Sequence, residues 1–153
     1  MQYNNKECVD LLKRLISANK DRIAGYSEAI QQLNTDSDAD LILEFEHYVQ
    51  ESQQFKAQLT PLVYREGDSE SEYDAPRIIF TQAADAEQAT SHRESVLQAC
   101  EQAEKELQHI YKEVNGYNEI IDEHIKDMIK SQSDVQQESY ITIANLLENE
   151  KSN

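Results

Sequence analysis

The 153 residues are enough for one domain with a single core. Against 14 Lys and Arg stand 30 Asp and Glu, a net charge of -16, and such a surface repels nucleic acid and anionic lipid, which bind through clustered basic side chains. No apolar run reaches the roughly 18 residues of a membrane span, and 3 Gly and 2 Pro in a chain rich in Ala, Leu, Glu, Gln and Lys indicate an all-α protein.

Helix 1 is predicted over residues 5–33, where Val9, Leu12, Ile16, Ile23, Tyr26, Ile30 and Leu33 recur at steps of three and four. The stripe position between Ile16 and Ile23 is Asn19. NTDSDAD then offers turn and N-cap chemistry, so a short connection makes helices 1 and 2 an antiparallel hairpin. Helix 2, residues 38–65, carries Leu41, Phe45, Tyr48, Ser52, Phe55, Leu59 and Leu62 on one face, and Gly67 supplies its stop. Residues 66–90 lose the period: EGDSESEYDA is acidic, Pro76 interrupts, and Ile78, Ile79 and Phe80 suit a short helix. The length of this segment allows it to cross the whole bundle, with helix 3 then parallel to helix 2.

Ser91 and Glu94 form a capping-box pattern opening helix 3, residues 91–114, with Val96, Cys100, Ala103, Leu107, Ile110, Val114 and Tyr117 in register. A turn at Asn115 and Gly116 leads to helix 4, residues 118–148, with Ile121, Ile125, Met128, Gln132, Val135, Ser139, Thr142 and Leu146; the tail ENEKSN is expected to fray. Four stripes of similar length and heptad-like spacing indicate a single-chain four-helix bundle rather than a coiled-coil dimer of two hairpins. Cys8 and Cys100 lack a CxxC spacing and are expected to be reduced, Cys100 as a small buried hydrophobe. The N-terminal MQYNNKECVDLLKRL lacks the features of a secretory signal, which points to the cytoplasm.

Asn19, Ser52 and Gln132 interrupt three stripes at bundle mid-height, and Glu104 lies beside Ala103 at that height on helix 3. The simpler reading of this layer is a hydrogen-bonded set that fixes register. The sharper one is a di-metal carboxylate centre holding iron or manganese, which needs Glu and ExxH ligands converging from the helices. Only Glu104 is an inward acid there, a weak candidate ligand. The two ExxH spacings, Glu44 with His47 and Glu106 with His109, point outward by helical phase. No phosphate loop, GxSxG or recognisable Cys and His pairing marks a catalyst.

LISANKDRIAGYSEAI, ESQQFKAQLTPLV and SVLQACEQAEKELQHIYKEV resemble a bacterial family of about 150 residues with a ferritin-like fold, catalogued as a domain of unknown function. The most specific pieces are Asn19, Lys20, Asp21, Arg22, Gly25 and Tyr26, like N-D-R-x-x-G-Y with one residue inserted at Lys20; S-Q-Q-F at Ser52 to Phe55; and A-C-E-x-x-E at Ala99 to Glu104. The chain departs from the family in its short acidic linker and in Tyr140, where a His is expected. The resemblance implies a ferritin-like bundle with a crossover between helices 2 and 3 and a stress association by family analogy. It carries over no reaction and no ligand set. The expectation is a non-catalytic cytoplasmic bundle without a cofactor, acting through homo-oligomerisation or a protein partner, with a metal-binding or oxidase-type bundle as the alternative.

Overall fold

A computed structural model describes residues 5–65, 91–117 and 122–152. Four helices account for nearly all of them: α1 (Asn5–Gln32), α2 (Ala39–Arg65), α3 (His92–Asn115) and α4 (Glu123–Lys151). No strand occurs among the described residues, and none of their helices is long and apolar enough to cross a membrane.

Local chemistry sets the helix ends. In the turn between α1 and α2, Asn34 Oδ1 accepts from the amides of Asp36 (2.8 Å) and Ser37 (3.0 Å), and Asp38 Oδ2 accepts from the amide of Asn34 (2.9 Å). Ser91 caps α3 by accepting from the amide of Glu94 at 3.1 Å. Asp122 caps α4 by accepting from His124 N (2.8 Å) and Ile125 N (3.1 Å). The helix therefore starts at Glu123 rather than at residue 118. Its far end stays helical to Lys151 instead of fraying, because Leu147 is buried and Arg93 holds Glu150 at 3.0 Å. The stop assigned to Gly67, the segment 66–90 and the stripe position Ile121 lie outside the described residues.

Backbones approach closely within the pairs α1/α2 and α3/α4, and α1 with α3 and α2 with α4 close the bundle across a wider seam. The helix directions follow from contacts at one end. Arg93 at the start of α3 reaches Asp38 and Asp40 at the start of α2 and Glu150 at the end of α4, and His92 Nε2 lies 2.9 Å from the carbonyl of Gln32 at the end of α1. α2 and α3 thus start at the same end, and each helix runs antiparallel to both neighbours.

The core has apolar ends and a polar middle. Leu41, Phe45, Val96, Leu97 and Ile143 pack toward the Arg93 end, and Leu12, Leu15, Leu59, Leu107 and Ile129 toward the other. The α2 stripe is buried as predicted. In the other three, Val9, Leu12, Asn19, Tyr26 and Leu33 on α1, Val96, Cys100, Ala103, Leu107 and Val114 on α3, and Ile125, Gln132 and Ser139 on α4 are buried as expected, and some of the remaining positions shift to a neighbouring residue. On α1, Ile16, Ile23 and Ile30 are half-buried flanks, while Leu15, Asn19, Arg22, Tyr26 and Ala29 form the centre. On α3, Tyr111 is buried in place of Ile110, and Tyr117 is exposed. On α4, Ile129, Gln136, Ile143 and Leu147 replace Met128, Val135, Thr142 and Leu146. On α1 and α4 the buried seam includes Arg22 and Gln136, long polar side chains that a search for hydrophobes passes over.

Candidate functional site: a buried charge and hydrogen-bond network

Arg22 stands at the centre of the bundle. Cys8, Leu12, Leu15, Asn19, Arg22, Tyr26, Ala29 and Leu33 are all buried and alternate steps of four and three, so the inward seam of α1 places a guanidinium in the core. Its side chain is 0% exposed. Nε donates to Glu104 Oε2 on α3 at 3.0 Å, and Nη1 donates to Glu51 Oε1 (2.8 Å) and Ser52 Oγ (3.1 Å) on α2. Cζ lies 5.7 Å from the Tyr26 ring centroid and 5.3 Å from that of Tyr48, within cation–π range.

Both carboxylates have further donors. Glu104 accepts a short hydrogen bond from the Tyr26 hydroxyl and one from Gln136 Nε2 on α4 at 2.9 Å. Gln136 Nε2 also reaches the Glu104 carbonyl at 2.9 Å. Glu51 accepts from Ser139 Oγ on α4, at 3.1 and 3.2 Å to its two oxygens. The ion cluster thus ties all four helices together.

A neutral limb runs from Ser52. Its Oγ, accepting from Arg22, donates to Asn19 Oδ1 at 2.8 Å; Asn19 Nδ2 donates to Tyr111 Oη at 3.0 Å and to the Leu15 carbonyl at 2.9 Å. Tyr111 Oη then donates to Gln132 Oε1 at 2.8 Å, and Gln132 Nε2 donates to Gln58 Oε1 (2.9 Å) and the Phe55 carbonyl (3.3 Å). Each hydroxyl accepts once and donates once, so the proton directions along the limb are mutually consistent.

The electrostatics follow from this packing. Burial disfavours the charged guanidinium of Arg22, but Glu104 and Glu51 outweigh it and hold the group above the usual arginine range. Burial pushes the Tyr26 phenol well up, and the Glu104 charge pushes it further. The Cys100 thiol is raised by the same two causes in the same order, and burial raises Tyr111. These groups stay protonated at neutral pH, so the cluster presents neither a thiolate nor a phenolate nucleophile.

All four expected layer residues are buried here, though not as one flat set. Asn19 and Ser52 bond directly. Gln132 reaches Asn19 only through Tyr111, and Glu104 connects to Ser52 only through Arg22. Sequence reasoning missed Arg22, Glu51, Tyr111 and Gln136 as members. The uninterrupted heptad of α1 was the available signal for Arg22.

As a metal centre the residues do not fit. Glu104 and Glu51 have their oxygens engaged by Arg22, Tyr26, Gln136 and Ser139, and the guanidinium occupies the place between the two carboxylates where a bridging cation would have to sit. Among the described residues, no three of His, Cys, Asp and Glu come together as metal ligands. His47 and His109, of the two ExxH pairs, are exposed, as helical phase predicts. Comparison with models of known families, with curated proteins and with solved structures finds no match to this chain.

Proposed function

We propose that this chain is a ferritin-like four-helix bundle, with residues 66–90 as a crossover, that performs no metal chemistry and acts by self-association or through a protein partner. The observation that carries the reading is Arg22: a fixed guanidinium neutralises facing carboxylates from α2 and α3, the role a metal has in a di-metal carboxylate bundle. The crossover is supported by helix direction. α2 and α3 start at one end, so the chain leaving Arg65 has to return the length of a 27-residue helix before Ser91. At about 1.5 Å per residue that length is roughly 40 Å, and an extended segment reaches it at about 3.3 Å per residue with slack left over.

The test is elemental analysis of the untagged full chain after incubation with ferrous iron, manganese or zinc and desalting, beside Glu104→Gln, which keeps the acceptor and removes the charge. The expected result is no stoichiometric metal in either protein. One or two metals per chain, lost in Glu104→Gln, would overturn the reading.

A further inference from the structure

The surface grooves between helices differ in charge. On the α3/α4 side, Lys112, Lys126 and Lys130 line one groove beside Asp127 and Asp134, and Lys105 and Lys112 line another beside Glu106. Those acids have resident ammonium groups close by. The α2/α4 groove, about 330 Å³, has neither Lys nor Arg among the described residues of its lining. Its deepest residues are the buried Glu51, Phe55 and Gln132, and Gln50, Gln54 and Gln58 recur every fourth position along its α2 wall.

We propose that this groove binds the ammonium or guanidinium head of a small organic cation, with Glu51 as its counter-charge. The charge balance below the groove supplies the attraction. One guanidinium, Arg22, serves two carboxylates, and of these Glu104 is fully enclosed whereas Glu51 lines the groove. The surplus negative charge is therefore felt at the groove floor, where a partly desolvated site weakens it less than open water does. His47 Nε2 stands 3.9 Å from Glu51 Oε2, beyond hydrogen-bond distance, on a side chain 66% exposed, so the resident imidazole does not occupy the floor.

The walls suit N–H donors. The Glu51 carboxylate and the carboxamide oxygens of Gln50 and Gln54 accept them. A hard metal ion requires more anionic oxygens than one carboxylate. An anion is repelled by Glu51, and an apolar ligand would strand the carboxamides. The volume matches the small end of ligand pockets, about 300 Å³.

The full chain is titrated with butylguanidinium and butylammonium chloride at constant ionic strength, with tetramethylammonium as a cation lacking N–H donors, and followed by amide NMR. Expected are saturable shifts confined to the groove for the first two, with Kd about 1 mM or tighter, and none for tetramethylammonium. Val135→Lys sets an ammonium on the exposed groove wall without touching the core, and is expected to weaken binding about tenfold; Glu51→Gln is expected to abolish it. Diffuse shifts over the acidic surface, saturable binding unchanged in Val135→Lys, or binding of an arginine-containing peptide but of neither free cation would each overturn the proposal.

Discussion

Arg22 and Arg93 each join three or more helices in this bundle, and they do so on different terms. Arg93, at the end, donates to Asp38 (3.1 Å), bidentately to Asp40 (3.0 and 2.8 Å) and to Glu150 (3.0 Å), with its side chain 21% exposed. Arg22, in the middle, has fewer carboxylates and no exposure. By number of bonds the end clamp looks stronger. Water reverses that ranking for the cost of breaking them: of the carboxylates released by Arg93, Asp40 is open to water and Glu150 partly so, leaving only Asp38 enclosed, while Glu104 and Glu51 released by Arg22 both remain in the core.

The largest expected effect follows from that difference. Arg22→Met leaves Glu104 and Glu51 buried without a cation and is expected to lower unfolding stability by about 3–5 kcal/mol, read as a fall in urea midpoint at unchanged slope. Adding Glu51→Gln and Glu104→Gln to Arg22→Met removes the stranded charges and is expected to restore much of the loss. A single Arg22→Met that costs under about 1 kcal/mol, the level of an exposed pair, would mean that burial does not set the difference between the two arginines.

The middle of the bundle also carries its own pH signature. Tyr26, Tyr111 and Cys100 have folded-state pKa values raised, chiefly by burial. An acid raised in the folded state contributes its full stability below its unfolded pKa and loses it as pH climbs toward the folded value. The window therefore opens near pH 8.5 for the thiol and about 10 for the phenols, with each group removing about 1.4 kcal/mol per pH unit. Ionisation of the buried tyrosines and loss of helical circular dichroism are expected to coincide on alkaline titration. Ionisation of every tyrosine ahead of any helix loss would show that the core phenols titrate in the folded chain.

How much of this was legible in the sequence depends on the side chain concerned. Helix number and the α2 stripe were readable because Leu41, Phe45, Tyr48, Phe55, Leu59 and Leu62 announce one face, and Ser91 with Glu94 announces a cap. Asn19, Ser52 and Gln132 were readable as interruptions of a hydrophobic period. Arg22 was not, because an arginine at a heptad position reads as surface until an acid from another helix is known to meet it. Its partner Glu104 comes from a helix 82 positions away. Tyr111 was hidden for a related reason: Ile110 beside it competes for the same stripe, and the choice between them depends on what faces the helix. Here Asn19 and Gln132 supply partners for a hydroxyl, which an isoleucine would leave unmet.

The smallest expected effect belongs to Arg93, and it tests the comparison from its other side. The hydrogen bonds from Arg93 hold the Asp40 carboxyl below its usual range. A depressed acid contributes stability above its unfolded pKa and loses it as pH falls through the lower folded value, so the clamp weakens only in acid. Asp40 is largely exposed and Glu150 a quarter exposed, and solvent screening keeps their pairs with Arg93 at about 1 kcal/mol, with Asp38, 11% exposed, the least screened of the three. Arg93→Ala is therefore expected to lower stability by about that much at low salt, and by less at 1 M salt, where the Debye length is about 3 Å. The cost of Arg22→Met, enclosed from ions, is expected to change little over the same salt range. Equal salt dependence at the two sites would place the Arg22 cluster within reach of solvent and remove the physical basis for separating the middle of the bundle from its end.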